Sequence, residues 1–128
     1  MKNYSWSLFS LVWAGLVLYL SFVHPVSVDG GEPWFQNQDK LAHFVFYAIL
    51  GGTFIKASAQ ELKRSSPLML GGSVAFIFGG LIELGQHFLT TNREGDWVDA
   101  FSNGLGVLVI ALLIHNYPKL FRYHPKAK

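Results

Sequence analysis

Residues 68–89 read LMLGGSVAFIFGGLIELGQHFL. Polar interruptions come only late, at Glu83, Gln86 and His87, apart from one serine. A helix of about 20 apolar residues crosses the hydrocarbon core of a bilayer. A soluble helix of this length would carry a polar stripe along one side, and this stretch has none. It therefore predicts a transmembrane helix with a polar patch near one end.

Three further runs repeat the pattern. Residues 6–23 contain no charged side chain. Residues 41–58 are interrupted by His43 and Lys56, and residues 97–115 by Asp99 and Asn103. Lys2 followed by an apolar run also resembles a signal peptide. That run is long for one, and Val23-His24-Pro25-Val26 is a poor cleavage context, so a retained helix is expected. The sequence predicts an all-α polytopic membrane protein, a bundle of four transmembrane helices in one domain over residues 1–128.

Composition agrees. Of 128 residues, 51% are hydrophobic and 14% charged, against about 25% charged in soluble domains. There are no cysteines, which excludes disulfides, iron–sulfur clusters, thiolate zinc sites and a cysteine nucleophile.

The basic residues give an orientation. Lys2 precedes the first helix, Lys56, Lys63 and Arg64 lie at the second connection, and Lys119, Arg122, Lys126 and Lys128 follow the last helix. Only Lys40 and Arg93 fall on the other side. Positive charge is retained in the cytoplasm, so both termini are expected to be cytoplasmic. Tyr4, Trp6 and Tyr117 would mark the inner interface, and Trp34 and Trp97 the outer one. Gly71, Ala75 and Gly79, Ala48 and Gly52, and Ala100 and Gly104 form small-residue faces. Such faces serve packing within a bundle or a homo-oligomer.

Ionisable groups within a membrane are expensive and face the bundle interior. At about 1.5 Å per residue, His43 lies about 6 Å below Asp39, while Glu83 and Asn103 each lie about 9 Å inside their helix ends. Three helices thus bring polar groups to a similar level on the outer side. Glu83 with Gln86 and His87, Asp99 with Asn103, and Asp39 with His43 stand at spacings that share a helix face. Asp39 and Asp96 are expected as structural helix caps. Glu83 is the deepest, and a glutamate there must be protonated or paired.

The sequence Asp39-Lys40-Leu41-Ala42-His43-Phe44 resembles the D-K-x-x-H-F opening of the VanZ-like family. Glu83-Leu84-Gly85-Gln86 resembles its E-x-x-Q pair. Arg93, Asp96, Asp99 and Asn103 resemble its R-x-x-D-x-x-D-x-x-x-N segment, with Gly104 and Gly106 following. The resemblance covers roughly residues 35–115. It implies a small multi-pass protein of the bacterial inner membrane in a cell-envelope context. The founding member is associated with resistance to the glycopeptide teicoplanin; the resemblance implies a class of protein and not a reaction.

Two readings of function stand. In the first, the outer-leaflet cluster binds or processes an anionic lipid or a polyprenyl-linked envelope precursor. Glu83 is the candidate catalytic acid–base with His43 as its proton partner. Lys40, Gln86, Arg93, Asp99 and Asn103 are candidate substrate-binding residues. No cofactor is expected; a variant of this reading places a divalent cation on His43, Glu83 and Asp99. In the second, the same residues are a non-catalytic inter-helix network in a scaffold or accessory protein. A transporter is a third choice, since four short helices need oligomerisation to form a pathway. Membrane lipids are the expected partners, and nucleic acid is not.

Overall fold

A computed structural model describes residues 4–23, 35–90 and 97–123. They form four α-helices: α1 (Ser5–Phe22), α2 (Gln38–Lys56), α3 (Pro67–Leu89) and α4 (Trp97–Asn116). No strand occurs among the described residues. All four helices are long and apolar enough to cross a membrane.

The boundaries follow the sequence closely, with one difference. α2 begins at Gln38, three residues before the expected start, and runs on through a π-helical turn, Ala57–Glu61. Its N-cap is Asn37, held in the left-handed region at φ 64°. Asp39, expected as the cap, is instead the second residue of the helix. A carboxylate is favourable in a first turn because it opposes the positive end of the helix dipole. The second expected cap, Asp96, lies outside the described residues.

α2 is the central helix. It packs against α4 most extensively, then α3, then α1, while α1 and α4 do not touch among the described residues. Contacts at the helix ends show that the helices alternate in direction. The first turn of α1 meets the end of α2 through Glu61, whose carboxylate accepts from the Trp6 amide at 2.5 Å and the Ser7 amide at 2.9 Å. At the opposite end the Gln86 amide donates to the Ser21 carbonyl at 2.9 Å.

Close backbone approach makes this packing possible. A Cβ on Gly106 of α4 would overlap the Phe44 carbonyl oxygen, and one on Gly71 of α3 would overlap the Ile55 backbone. A Cβ on Gly79 would come 2.8 Å from the Tyr47 ring. Gly71, Ala75 and Gly79 are all buried, so this small-residue face is taken up against α2 within the chain. Around it pack Leu50, Ile82, Val107, Val17 and Ala14, with a second cluster of Ile55, Ala59, Ile114 and Tyr123 at one end. The outward surfaces are apolar as well: Leu8, Val12, Met69, Phe76, Phe88 and Leu108 are exposed. Such a continuous apolar exterior is unstable in water and suited to hydrocarbon.

Gly106→Ala is expected to destabilise the bundle by about 1–3 kcal/mol, the usual effect of overpacking. Gly80 has nothing within 4 Å of a built Cβ. Gly80→Ala is therefore expected to be neutral or stabilising by up to about 1 kcal/mol. Thermal unfolding in detergent, followed by circular dichroism, compares the two; equal effects would contradict the packing described.

Candidate functional site: a three-helix polar chain

The polar residues of α2, α3 and α4 meet at the end of the bundle where α2 and α4 begin. Lys40 lies in the first turn of α2 and His43 one turn on. The Lys40 ammonium is 2.9 Å from Asp39 Oδ2 and 3.3 Å from Asp99 Oδ1. His43 Nδ1 is 2.9 Å from Asn103 Oδ1. The Asn103 amide donates to Glu83 Oε1 at 3.2 Å. Glu83 Oε1 is also 3.7 Å from His43 Nδ1, and Asp99 Oδ2 is 3.7 Å from His43 Nε2. The result is a chain from Asp39 through Lys40, Asp99, His43 and Asn103 to Glu83.

The chain has a mouth and a floor. Side-chain exposure falls from 44% at Asp39 through 25% at Lys40, 18% at Asp99 and 13% at His43 to 9% at Glu83. Asn103 is buried among its neighbours. Lys40 and Asp99 therefore form the rim and Glu83 the base.

Hydrogen-bond polarity assigns the groups. With Asn103 Nδ2 donating to the Glu83 carboxylate, its Oδ1 accepts from the His43 side. That places a proton on Nδ1 of His43 and leaves Nε2 as the nitrogen facing Asp99. The 3.7 Å between Nε2 and Asp99 Oδ2 exceeds a direct hydrogen bond. A group with two hydrogens set beside the pair, such as an amine or water, could donate to both acceptors.

The expected residues do not all converge. His43, Glu83, Asp99, Asn103 and Lys40 come together. Gln86 does not: its amide reaches the Ser21 carbonyl of α1 instead. Three helical residues turn through about 300°, so Gln86 is offset from Glu83, and α3 lies against α1 there. His87 is exposed, its ring 4.9 Å from Phe88 and edge-on to it. Arg93 lies outside the described residues. No three potential ligands form a metal-holding group among the described residues. Glu83 and Asp99 face opposite nitrogens of one imidazole, so His43, Glu83 and Asp99 are not arranged around a single point.

Tyr47 was not singled out from the sequence. It stands one turn beyond His43 on α2, 2% exposed, with a hydroxyl that has no hydrogen-bond partner. With His43 and Ser21 it borders a crevice between α1 and α2 of about 30 Å³, enough for one water molecule. Its i,i+4 relation to His43 was the available signal, masked by its resemblance to an ordinary core aromatic.

A double-mutant cycle of His43→Ala and Asn103→Ala is expected to give a coupling energy of about 0.6 kcal/mol, the average for polar contacts between membrane helices, and no more than about 1.7 kcal/mol. Unfolding of the two single variants and the double variant in detergent measures it. Strict additivity would mean that the two side chains do not interact. Neither a family model nor a curated protein nor a solved structure matches the chain.

Proposed function

We propose that the chain is a VanZ-like multi-pass protein of the bacterial inner membrane. In this reading both termini are cytoplasmic, and the three-helix polar chain is a site at the outer leaflet for the head group of an anionic lipid or lipid-linked envelope precursor. The VanZ-like assignment rests on three short motifs that occur in order. The functional reading rests chiefly on one observation: the graded chain that ends in His43 Nε2 facing Asp99 across 3.7 Å.

The chemistry follows from that gap. A head-group hydroxyl or amine set beside the two atoms would donate to Nε2 or to Asp99. His43 Nε2 is the group suited to accept a proton there. Asn103 holds the Nδ1 proton in place, and Glu83 anchors Asn103. Glu83 thus acts as the buried charge that orients the imidazole, and His43 carries the proton. Three described carboxylates, Asp39, Glu83 and Asp99, face Lys40 and His43. That balance disfavours a phosphate deep in the chain. Lys40 at the rim supplies a cation for one outside it.

An apolar seam supports a lipid substrate. Between α3 and α4 runs an open groove of about 980 Å³, from Trp97 past Gly104 and Gly72 to Leu68. Ala100 and Gly104 line it while Asp99 and Asn103, their chain neighbours, belong to the polar chain. A hydrocarbon chain in the seam would bring its head group to the end of the bundle where α4 begins.

The second reading, a structural network without chemistry, is favoured by the mutual pairing of Lys40 with Asp39 and Asp99. Buried polar networks of this kind also specify helix register. Lipid extracted from purified protein and identified by mass spectrometry separates the two. The site reading expects a specific lipid in the wild type, lost from folded His43→Ala and Glu83→Gln. If those variants keep the same lipid but unfold at lower temperature, the network reading holds.

Orientation has its own test. The chain has no cysteine, so single cysteines report cleanly. Gln36→Cys is expected to react with an impermeant maleimide in intact cells, and Ser65→Cys only after the membrane is opened. The reverse pattern would invert the topology.

A further inference from the structure

The opposite end of the bundle holds a second arrangement of charge. Lys56, Lys63, Arg64, Lys119 and Arg122 gather there, and Glu61 is the one acid among the described residues at that end. Glu61 is committed to α1. Its carboxylate accepts from the Trp6 and Ser7 amides and from the Ser7 hydroxyl, the last at 2.5 Å. α1 has no acidic residue in its own first turn and no side-chain cap. A carboxylate reaching across from the end of α2 meets that need.

With Glu61 so engaged, two cations are held close together. The Lys56 ammonium sits 4.1 Å from the centroid of the Trp6 indole. Arg122 is anchored at the same end of α2, through Gln60 and the packing of its neighbour Tyr123 on Ile55 and Ala59. Neither forms an ion pair with a carboxylate among the described residues.

The fold, not chance, keeps Arg122 there. Its φ is 47°, the left-handed region, which side chains other than glycine adopt at some expense. The Gln60 amide donates to its carbonyl at 2.8 Å. The next residue, Tyr123, is buried with Ile55, Ala59 and Ile114, and desolvation raises its phenol above the ordinary value. The Tyr123 amide closes the turn on the Pro118 carbonyl at 2.8 Å. Tyr117 and Leu120 are exposed beside this turn, as suits a membrane interface.

We infer that Lys56 and Arg122 form a binding site for the phosphodiester head group of an anionic membrane lipid in the leaflet at this end. An anion between them would take charge-assisted hydrogen bonds from both. Exposed Leu120 and Tyr117 lie where the lipid's glycerol and first methylenes would run. Lys63, Arg64 and Lys119 raise the local anion concentration without forming the site. The inference rests on the chain residing in a membrane, and is independent of the polar chain at the other end.

The test uses the full chain, purified in detergent and mixed with equal amounts of phosphatidylglycerol and phosphatidylcholine. Native mass spectrometry then counts retained lipid. The wild type is expected to prefer phosphatidylglycerol by about tenfold or more, the scale for two cations at an anionic surface. In a His43→Ala background, which removes the lipid proposed for the other end, Lys56→Gln with Arg122→Gln should abolish the preference, and Arg122→Gln alone should reduce it with no fall in melting temperature. The control pair Lys63→Gln with Arg64→Gln should leave most of it. Three outcomes would overturn the inference: no preference in the wild type, an equal loss in the control pair, or displacement of the lipid by millimolar inorganic phosphate. The last would assign the site to a soluble anion. Failure of the His43 and Glu83 lipid test would leave these results untouched, since the two sites lie at opposite ends.

Discussion

The backbone contact between Gly106 of α4 and the Phe44 carbonyl of α2 governs the geometry of the polar end. Phe44 adjoins His43, and Gly106 lies three residues beyond Asn103. With a side chain at position 106, α2 and α4 would stand further apart, and the 2.9 Å contact between His43 and Asn103 would open. The same device works on the other flank of α2, where Gly71 meets the Ile55 backbone and Gly79 receives the Tyr47 ring. One helix is thus gripped closely from two sides, and its polar residues are brought within reach of both neighbours.

Within hydrocarbon, that closeness decides what polar groups do. A carboxylate, an amide and an imidazole at the same level must either find one another or remain unsatisfied at considerable cost. Here Asn103 joins Glu83 to His43, and the arrangement directs Nε2 toward the more exposed Asp99 and Lys40. An interior that only locked helices together would need no such gradient from floor to rim. The gradient is why the site reading is preferred to the network reading, although the same bonds also help to hold α2, α3 and α4 in register.

The two ends of the bundle solve opposite electrostatic problems. At the polar-chain end, acids outnumber bases and neutralise Lys40 from two sides. At the other end, bases outnumber the single described acid, and that acid is drawn off to cap α1. The consequence is two cations, Lys56 and Arg122, that form no ion pair with a carboxylate among the described residues.

Much of the architecture was legible in the sequence because hydropathy and length act locally. A run of about 20 apolar residues is long enough to span a bilayer whatever surrounds it, and four such runs appeared within a few residues of where the helices lie. The convergence of His43, Glu83 and Asn103 was likewise foreshadowed by matched depth along regular helices, and that of Asp99 by its four-residue spacing from Asn103. What the sequence could not determine was rotation. Gln86 shares a spacing with Glu83 yet faces Ser21 of α1, since only the placement of α1 beside α3 decides which neighbour a side chain meets. The start of α2 at Gln38 moved Asp39 from cap to first turn, and the role of Glu61 depended on a contact 54 residues away along the chain. Nothing in the sequence singled out Tyr47, for the same reason. Length, hydropathy and depth belong to each helix alone, whereas the facing of each side chain and the pairing of each charge belong to the packed bundle.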